Sequence, residues 1–201
     1  MLTKPLLIIF IRNAEWGKVK TRLAKSIGND NALDLYNFLL KHTAEISTPL
    51  PIDKWVFYSE EIIQEDVWPC DQFIKKKQKG ENLGLRMKNA FIEGKSAGYN
   101  NIIIIGSDLF DITTEELSQA FATLNNSDVV IGPAIDGGYY LLGLKEIPKG
   151  IFDNKEWGTS SIFKDTLVHL KTFKTSILPP KNDIDTIEDI LNNPVFIKYY
   201  S

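Results

Sequence analysis

The sequence predicts an α/β sandwich built on a mostly parallel sheet, and three observations carry that reading. Residues 6–11 (LLIIFI) and 102–105 (IIII) are continuous apolar, largely β-branched runs bounded by turn signals. Such runs read as strands buried on both faces. Between the predicted strands lie segments with apolar residues at helical spacing, and strand–helix alternation is the signature of parallel βαβ units. Each long run also ends in a polar loop: Arg12 onward after the first, Gly106-Ser107-Asp108 after the second. Ligands of open α/β sheets bind at these carboxyl ends of the strands.

The length of 201 residues fits a single domain, 1–201, with a sizeable core. A net charge of −3, from 23 basic and 26 acidic residues, argues against a nucleic-acid surface. The lone cysteine, Cys70, excludes an internal disulfide and a cysteine metal cluster, and fits a reducing cytoplasm. The apolar run at 6–11 is too short for a secretory core or a membrane span, so a cytoplasmic protein without a membrane span is expected.

Along the chain, the strand at 6–11 opens a polar loop, RNAEWGKVKTR. Ala32, Leu33, Tyr36, Leu39, Leu40 and Thr43 then mark a helix over 29–47. Pro49 and Pro51 break it, and KWVFYS (54–59) is a second strand. An acidic piece ending at Pro69 reads as helical. QFIKKKQ (72–78) reads as a strand with Lys75, Lys76 and Lys77 on a solvated face. A two-glycine loop, QKGENLG, leads into a helix to about residue 98 whose apolar face holds Leu85, Met87, Ala90 and Phe91.

After the isoleucine strand, Thr113 and Glu116 form a capping box for a helix to about residue 126. This frees Asp108 from the simplest alternative reading, that it caps the same helix. DVVIGPA and YYLLGL flank Asp136-Gly137-Gly138 and read as a hairpin or a local antiparallel addition. A helix is expected from about 161 to 173, a late strand at 174–178, and a short helix after Thr186, which is spaced from Asp189 like a second capping box.

Three loops carry chemistry-bearing side chains. The loop after the first strand holds Arg12, Gly17, Lys18, Lys20 and Arg22; glycine admits a phosphate to the backbone and the cations neutralise it. It is not a Walker A loop, since GxxxxGK[ST] is absent. Asp108, with Asp183 and Asp185, supplies carboxylates able to share Mg²⁺ or Mn²⁺, which in turn holds nucleotide phosphates. The turn at Asp136, Gly137 and Gly138, with Tyr139, reads either as an ordinary hairpin or as a backbone that closes on a ligand. His42 and His169 fall in predicted helices without a partner in sequence.

In combination, GKVKTRL, QKGENLG, IIIIGSDLFDIT, DVVIGPAIDGGYYLLGL, WGTSS and DIDTIEDI resemble a bacterial family of nucleotide-diphospho-sugar transferase-like proteins. Its members are described as glycosyltransferases, and it is similar in turn to the guanylyltransferases of phospholactate and molybdenum-cofactor assembly. The resemblance implies a GT-A fold, a Rossmann-like three-layer sandwich with a mixed, mostly parallel sheet. It implies a nucleotide-binding role for Arg12, Gly17, Lys20, Arg22, Gln78, Gly80, Gly84 and Ser107. Asp108 looks like the metal ligand, with Asp183 or Asp185 as the second carboxylate. Asp136, Gly137, Gly138, Tyr139 and Trp157 fall on the acceptor side.

Two departures stand out. Ala14 replaces a proline common in the family, and Leu109-Phe110 replaces Cys-Pro; neither removes a functional group. Asp111 lies three residues from Asp108, so the pair is not a DxD motif. The expected protein is a metal-dependent transferase with a nucleotide or nucleotide-sugar donor and a small-molecule acceptor. A non-catalytic nucleotide binder is the alternative from another class. Donor base, acceptor and oligomeric state are not readable from the residues.

Overall fold

The computed structural model describes residues 4–201. Seven strands form one mixed sheet in the order β3-β2-β1-β4-β6-β5-β7. They are β1 (Pro5–Ile11), β2 (Asp53–Tyr58), β3 (Ile74–Lys77), β4 (Asn101–Ile105), β5 (Val129–Pro133), β6 (Tyr139–Leu144) and β7 (Thr175–Ile177). The two apolar runs lie side by side at the centre, β1 parallel to β4 with Ile8 opposite Ile104. Their side chains are all buried, which is why neither strand alternates polar and apolar residues. β6 runs antiparallel to both β4 and β5, so the DGG segment is a true hairpin turn inserted into a parallel sheet.

The pleat sends alternate residues to opposite faces. Leu7, Ile9 and Ile11 pack with α2 (Asn29–Ser47) and α4 (Thr114–Asn125), while Leu6, Ile8 and Phe10 pack with α3 (Leu83–Ser96). Helices on both faces make the three-layer sandwich the sequence predicts. The Thr113–Glu116 capping box of α4 is present, as is the box between Thr186 and Asp189.

Several local expectations give way to tertiary context. A short helix, α1 (Thr21–Ile27), begins inside the first polar loop. The acidic stretch before Pro69 is turns and bends rather than a helix, its Asp66 carboxylate held by Tyr58 and Lys75. Of the three lysines of β3 only Lys77 is exposed: the Lys75 side chain is buried against Asp66, and Lys76 pairs with Glu93 at 2.6 Å above the Trp55 ring. In α3 it is Gly84 and Gly94, not Leu85, that join Met87, Ala90 and Phe91 on the buried side. α5 (Ile162–Val168) is shorter than its pattern implies. The last helical stretches are 3-10 turns over Ile187–Asp189 and Pro194–Tyr199. They form a third cluster, in which Ile190, Phe196 and Tyr199 cover Leu23 of α1 and Leu35 and Leu39 of α2.

Among the described residues, no helix is long and apolar enough to cross a membrane.

Candidate active site

The carboxyl ends of β1 and β4 open into two adjoining cavities of about 430 and 530 Å³. Both are lined by Arg12, Tyr36 and Asp108, so these residues form the ridge between them. The first cavity extends over β2 and β3 and is lined by Gln78, Asn82, Leu83, Arg86 and Ser107 among others. The second extends toward the hairpin and the C-terminal segment, with Lys20, Arg22, Asp136, Asp183 and Asp185 in its wall.

Backbone pairing brings the acidic loops together. The segment after Pro180 threads between two loops: Lys181 bridges Ala134, and Asp183 bridges Leu109. The amide of Ile184 donates to the Asp108 carbonyl at 2.9 Å, and that of Ile135 to the Lys181 carbonyl at 3.0 Å. Residues far apart in sequence are thereby locked into one patch. The Lys181 ammonium anchors the thread from below, pairing with Glu116 at 2.9 Å.

Within the patch, Asp183 faces the charges of Asp108, Asp136 and Asp185. Burial, reinforced by those carboxylates and opposed by Lys20, pushes its pKa from 3.8 up to about 7. Asp185 is engaged differently, its carboxylate accepting from Arg22 at 3.0 Å. Asp189 lies in the same wall, but its carboxylate is used up in capping, accepting from the amides of Asp185 and Thr186 and from the hydroxyl of Thr186.

Lys20 is the basic residue of the first loop that pairs with Asp108 on the ridge. It occupies the position before α1 in a left-handed backbone conformation, φ 48° and ψ 41°. That conformation is uncommon for a residue with a side chain. Its side chain is only 5% exposed, and its ammonium forms an ion pair with the Asp108 carboxylate. Arg22, by contrast, is 68% exposed and faces Asp185 from the rim. Gly17 lines neither cavity; it is an exposed turn glycine at φ 72° with open space around it.

The sequence names Tyr36 only as an apolar helix residue, yet it organises the ridge. Its hydroxyl accepts from the Arg12 amide at 2.8 Å, lies 3.1 Å from the Arg12 carbonyl and is within 3.3 Å of Ser107 Oγ. Burial, and then the nearby Asp108 charge, raise its pKa and keep the phenol protonated. Tyr36 thus ties the end of β1 to the end of β4 from the α2 side.

Gln78 is buried and spends both amide hydrogens on the carbonyls of Ile11 and Phe57, each at 2.9 Å. It clamps the ends of β1 and β2 at the floor of the first cavity and leaves its amide no free donor. Its oxygen accepts from Arg86 at 3.3 Å, and Arg86 Nε donates to the Gly80 carbonyl at 3.0 Å. Arg86 and Asn82 are cavity residues that the sequence reading missed. The signal for Asn82 was available, since it is the N-cap of α3 and accepts from the Leu85 amide.

The glycines near the site serve close packing. A Cβ on Gly80 would lie 2.8 Å from the Arg86 amide. One on Gly84 would lie 2.5 Å from Trp157 Cε2, so Trp157 fills a notch on α3 instead of facing the acidic patch. Gly137, at φ 93°, lies against the Ser160 backbone, and its carbonyl accepts from the Phe163 amide at 2.9 Å. Gly138 donates to Asp136 Oδ1 at 2.8 Å, which sets the carboxylate at the turn. The expectation that Tyr139 faces a ligand needs correction: its hydroxyl turns toward Met87 Sδ beneath the hairpin. Burial raises its pKa accordingly.

The donor chemistry fits a hard divalent cation that brings some ligands of its own. Asp108 and Asp183 offer carboxylate oxygens in a patch short of positive charge. Yet no group of three or more His, Cys, Asp or Glu among the described residues is arranged to hold an ion. Mg²⁺ and Mn²⁺ suit such a site, being bound by one or two carboxylates with waters and phosphate completing the shell.

Residues 43–159 match a family described as "Uncharacterized protein conserved in bacteria (DUF2064)". A solved structure from Desulfovibrio desulfuricans G20, described as a candidate nucleotide-diphospho-sugar transferase, is 31% identical, with a TM-score of 0.85. The match covers 92% of this chain and 84% of that one. The chain belongs to this family. Its architecture is the nucleotide-diphospho-sugar transferase fold. The same fold appears in a cytidylyltransferase from Leptospira borgpetersenii at 17% identity, covering 94% and 84% of the two chains with a TM-score of 0.61. It appears again in a manganese complex of Rv0371C from Mycobacterium tuberculosis at 10% identity, covering 93% and 96% with a TM-score of 0.50. Among curated proteins, none matches in sequence.

Proposed function

We propose that the protein is a metal-dependent transferase that takes a nucleotide-activated donor and passes part of it to a small-molecule acceptor. The observation that carries this reading is Asp108 on the ridge between two cavities, with Lys20 and Asp183 beside it in the wall of the second. That arrangement puts a buried cation and a pair of carboxylates where a donor in one cavity would meet an acceptor in the other. The first cavity, with Asn82, Leu83 and Arg86, takes the nucleoside; the second takes the acceptor.

Nucleotidyl transfer from a nucleoside triphosphate is the preferred form. An acceptor oxygen attacks the α-phosphorus, the bond to the bridging oxygen breaks, and pyrophosphate leaves. Lys20 and Arg12 balance charge on the phosphates, and Arg22 lies further out at the rim. Asp108 and Asp183 would hold Mg²⁺ or Mn²⁺, which when bound supplies neutralisation of the phosphate oxygens. Asp185, paired with Arg22, is the weaker candidate for the second carboxylate. Holding charges in place before the reaction is the main catalytic resource of such a site.

Glycosyl transfer from a nucleoside diphosphate sugar is the second reading, favoured by the description of the relative from Desulfovibrio desulfuricans. Asp136, fixed by Gly138 at the mouth of the second cavity, would then accept the proton of the attacking hydroxyl.

A thermal-shift panel of nucleoside triphosphates and nucleoside diphosphate sugars, with Mg²⁺ or Mn²⁺, tests the proposal on wild type and Asp108→Ala. A donor at about 100 times its Kd stabilises by about 2.7 kcal/mol, roughly 5–10 °C for a chain this size. One donor class should give that shift in wild type and lose it in the variant. Equal shifts in both proteins would overturn the role of Asp108, and no shift with any donor would overturn the transferase reading.

A further inference from the structure

The pairing of Lys20 with Asp108 bears on the order in which a metal-dependent site fills. The side chains differ sharply in accessibility: that of Lys20 is 5% exposed and that of Asp108 is 49% exposed. The ammonium therefore comes from the protein side and covers one carboxylate oxygen, while the other remains open to the cleft. Lys20 is not a tethered surface residue that finds Asp108 by chance. Its carbonyl accepts the Ala24 amide at 2.8 Å in the first turn of α1, and its Nζ lies 5.9 Å from the centroid of the Tyr36 ring. A left-handed backbone at a residue with no side-chain capping bond is a conformation the surroundings must impose.

We propose that Lys20 is a built-in counter-ion that keeps a free divalent cation off Asp108, so that the ion enters only together with the phosphates of the donor. The inference rests on the transferase reading and adds an order of binding to it. Two carboxylates without a third make a poor site for a hydrated ion that gives up its waters reluctantly. A desolvated ammonium beside one of those carboxylates makes it poorer still, because the incoming ion must either displace the lysine from its acid partner or sit next to its charge. A polyphosphate changes both sides of that competition. It gives Lys20 an anionic partner of its own and supplies the oxygens that the protein does not. Of the other charges around Asp108, Asp136 and Asp183 are acidic and cannot replace the lysine, and Arg22 is held by Asp185. Arg12 lies on the ridge, but no ion pair joins it to Asp108 among the described residues.

The test uses Mn²⁺ as the probe, followed by loss of the free-ion electron paramagnetic resonance signal, in wild type, Lys20→Met, Lys20→Asn and Lys20→Met/Asp108→Asn. Asparagine tolerates the left-handed backbone and so serves if the methionine variant fails to fold. With Mn²⁺ alone, both single variants should bind at least about tenfold more tightly than wild type, equivalent to about 1.4 kcal/mol. The double variant should lose that gain. With Mn²⁺ and inorganic tripolyphosphate together, the order should reverse, wild type now binding more tightly than either Lys20 variant. If the Lys20 variants bind free Mn²⁺ no better than wild type while Lys20→Met/Asp108→Asn loses binding with tripolyphosphate, the counter-ion inference falls and the metal site stands. If no protein binds Mn²⁺ with or without tripolyphosphate, the metal-dependent reading itself is overturned and this inference with it.

Discussion

Replacing Asp183 by asparagine should stabilise the ligand-free protein at alkaline pH and do little at acid pH. Burial and the charges of Asp108, Asp136 and Asp185 push the Asp183 pKa from 3.8 to about 7. The folded protein therefore keeps a proton that the unfolded chain has already lost, and stability falls as pH rises from about 4 to 7, then levels off. A full conversion of that difference is at most about 4 kcal/mol. The carboxylate lines an open cavity, and solvent screening brings the usable figure to roughly 1–2 kcal/mol. For a chain of this size that is roughly 3–6 °C of melting temperature. Melts of wild type and Asp183→Asn at pH 5 and pH 8 measure it directly. The variant should gain on wild type by that amount between the two pH values, while losing stabilisation by Mg²⁺ or Mn²⁺ supplied together with tripolyphosphate. Parallel pH dependence would refute the claim that Asp183 is ionised at a cost in an anionic patch. Such a cost is what a site held in readiness for a cation should show.

Two further changes probe the scaffold around the site. Gly84→Ala places a methyl within 2.5 Å of Trp157 Cε2 on a helix backbone that cannot retreat. It should cost about 1–3 kcal/mol by overpacking, offset in part by the better helix propensity of alanine, and Trp157→Leu should relieve it in a double-mutant cycle by denaturant melts. A Gly84→Ala protein as stable as wild type would show that Trp157 does not fill this notch. Gln78→Met removes two donors to the carbonyls of Ile11 and Phe57 while keeping the volume. It should cost about 2–4 kcal/mol by chemical denaturation, at about 1–2 kcal/mol for each buried carbonyl left unpaired. No loss would mean that the floor of the first cavity is held by other contacts.

The manner in which the elements could be read from sequence divides along a physical line. β1 and β4 were legible because a strand covered on both faces must be apolar throughout. α2 and α4 were legible from their periodicity, and the start of α4 from the Thr113–Glu116 box. The acidic stretch before Pro69 misled because its charge pattern suits a helix, whereas Asp66 is needed by Tyr58 and Lys75 across space. Lys75 and Lys76 misled in the opposite direction. A run of like charges usually faces water, but here Asp66 and Glu93 come from other elements to meet them.

For the site, the residue types and the strand ends that carry them are local properties. The sequence by itself therefore determined that Lys20, Asp108, Asp136 and Asp183 sit in loops at the carboxyl side of the sheet. It could not choose between Asp183 and Asp185, nor sort the five candidate glycines into those that approach a ligand and those that admit a neighbour. Only the tertiary structure shows what each of these residues pairs with or packs against, because each depends on a partner distant in the chain. Asp185 is drawn to Arg22, Gly84 makes room for Trp157, and Gly137 lies against Ser160. The thread from Lys181 to Ile184, paired with residues 134–135 and 108–109, is what turns scattered carboxylates into one patch.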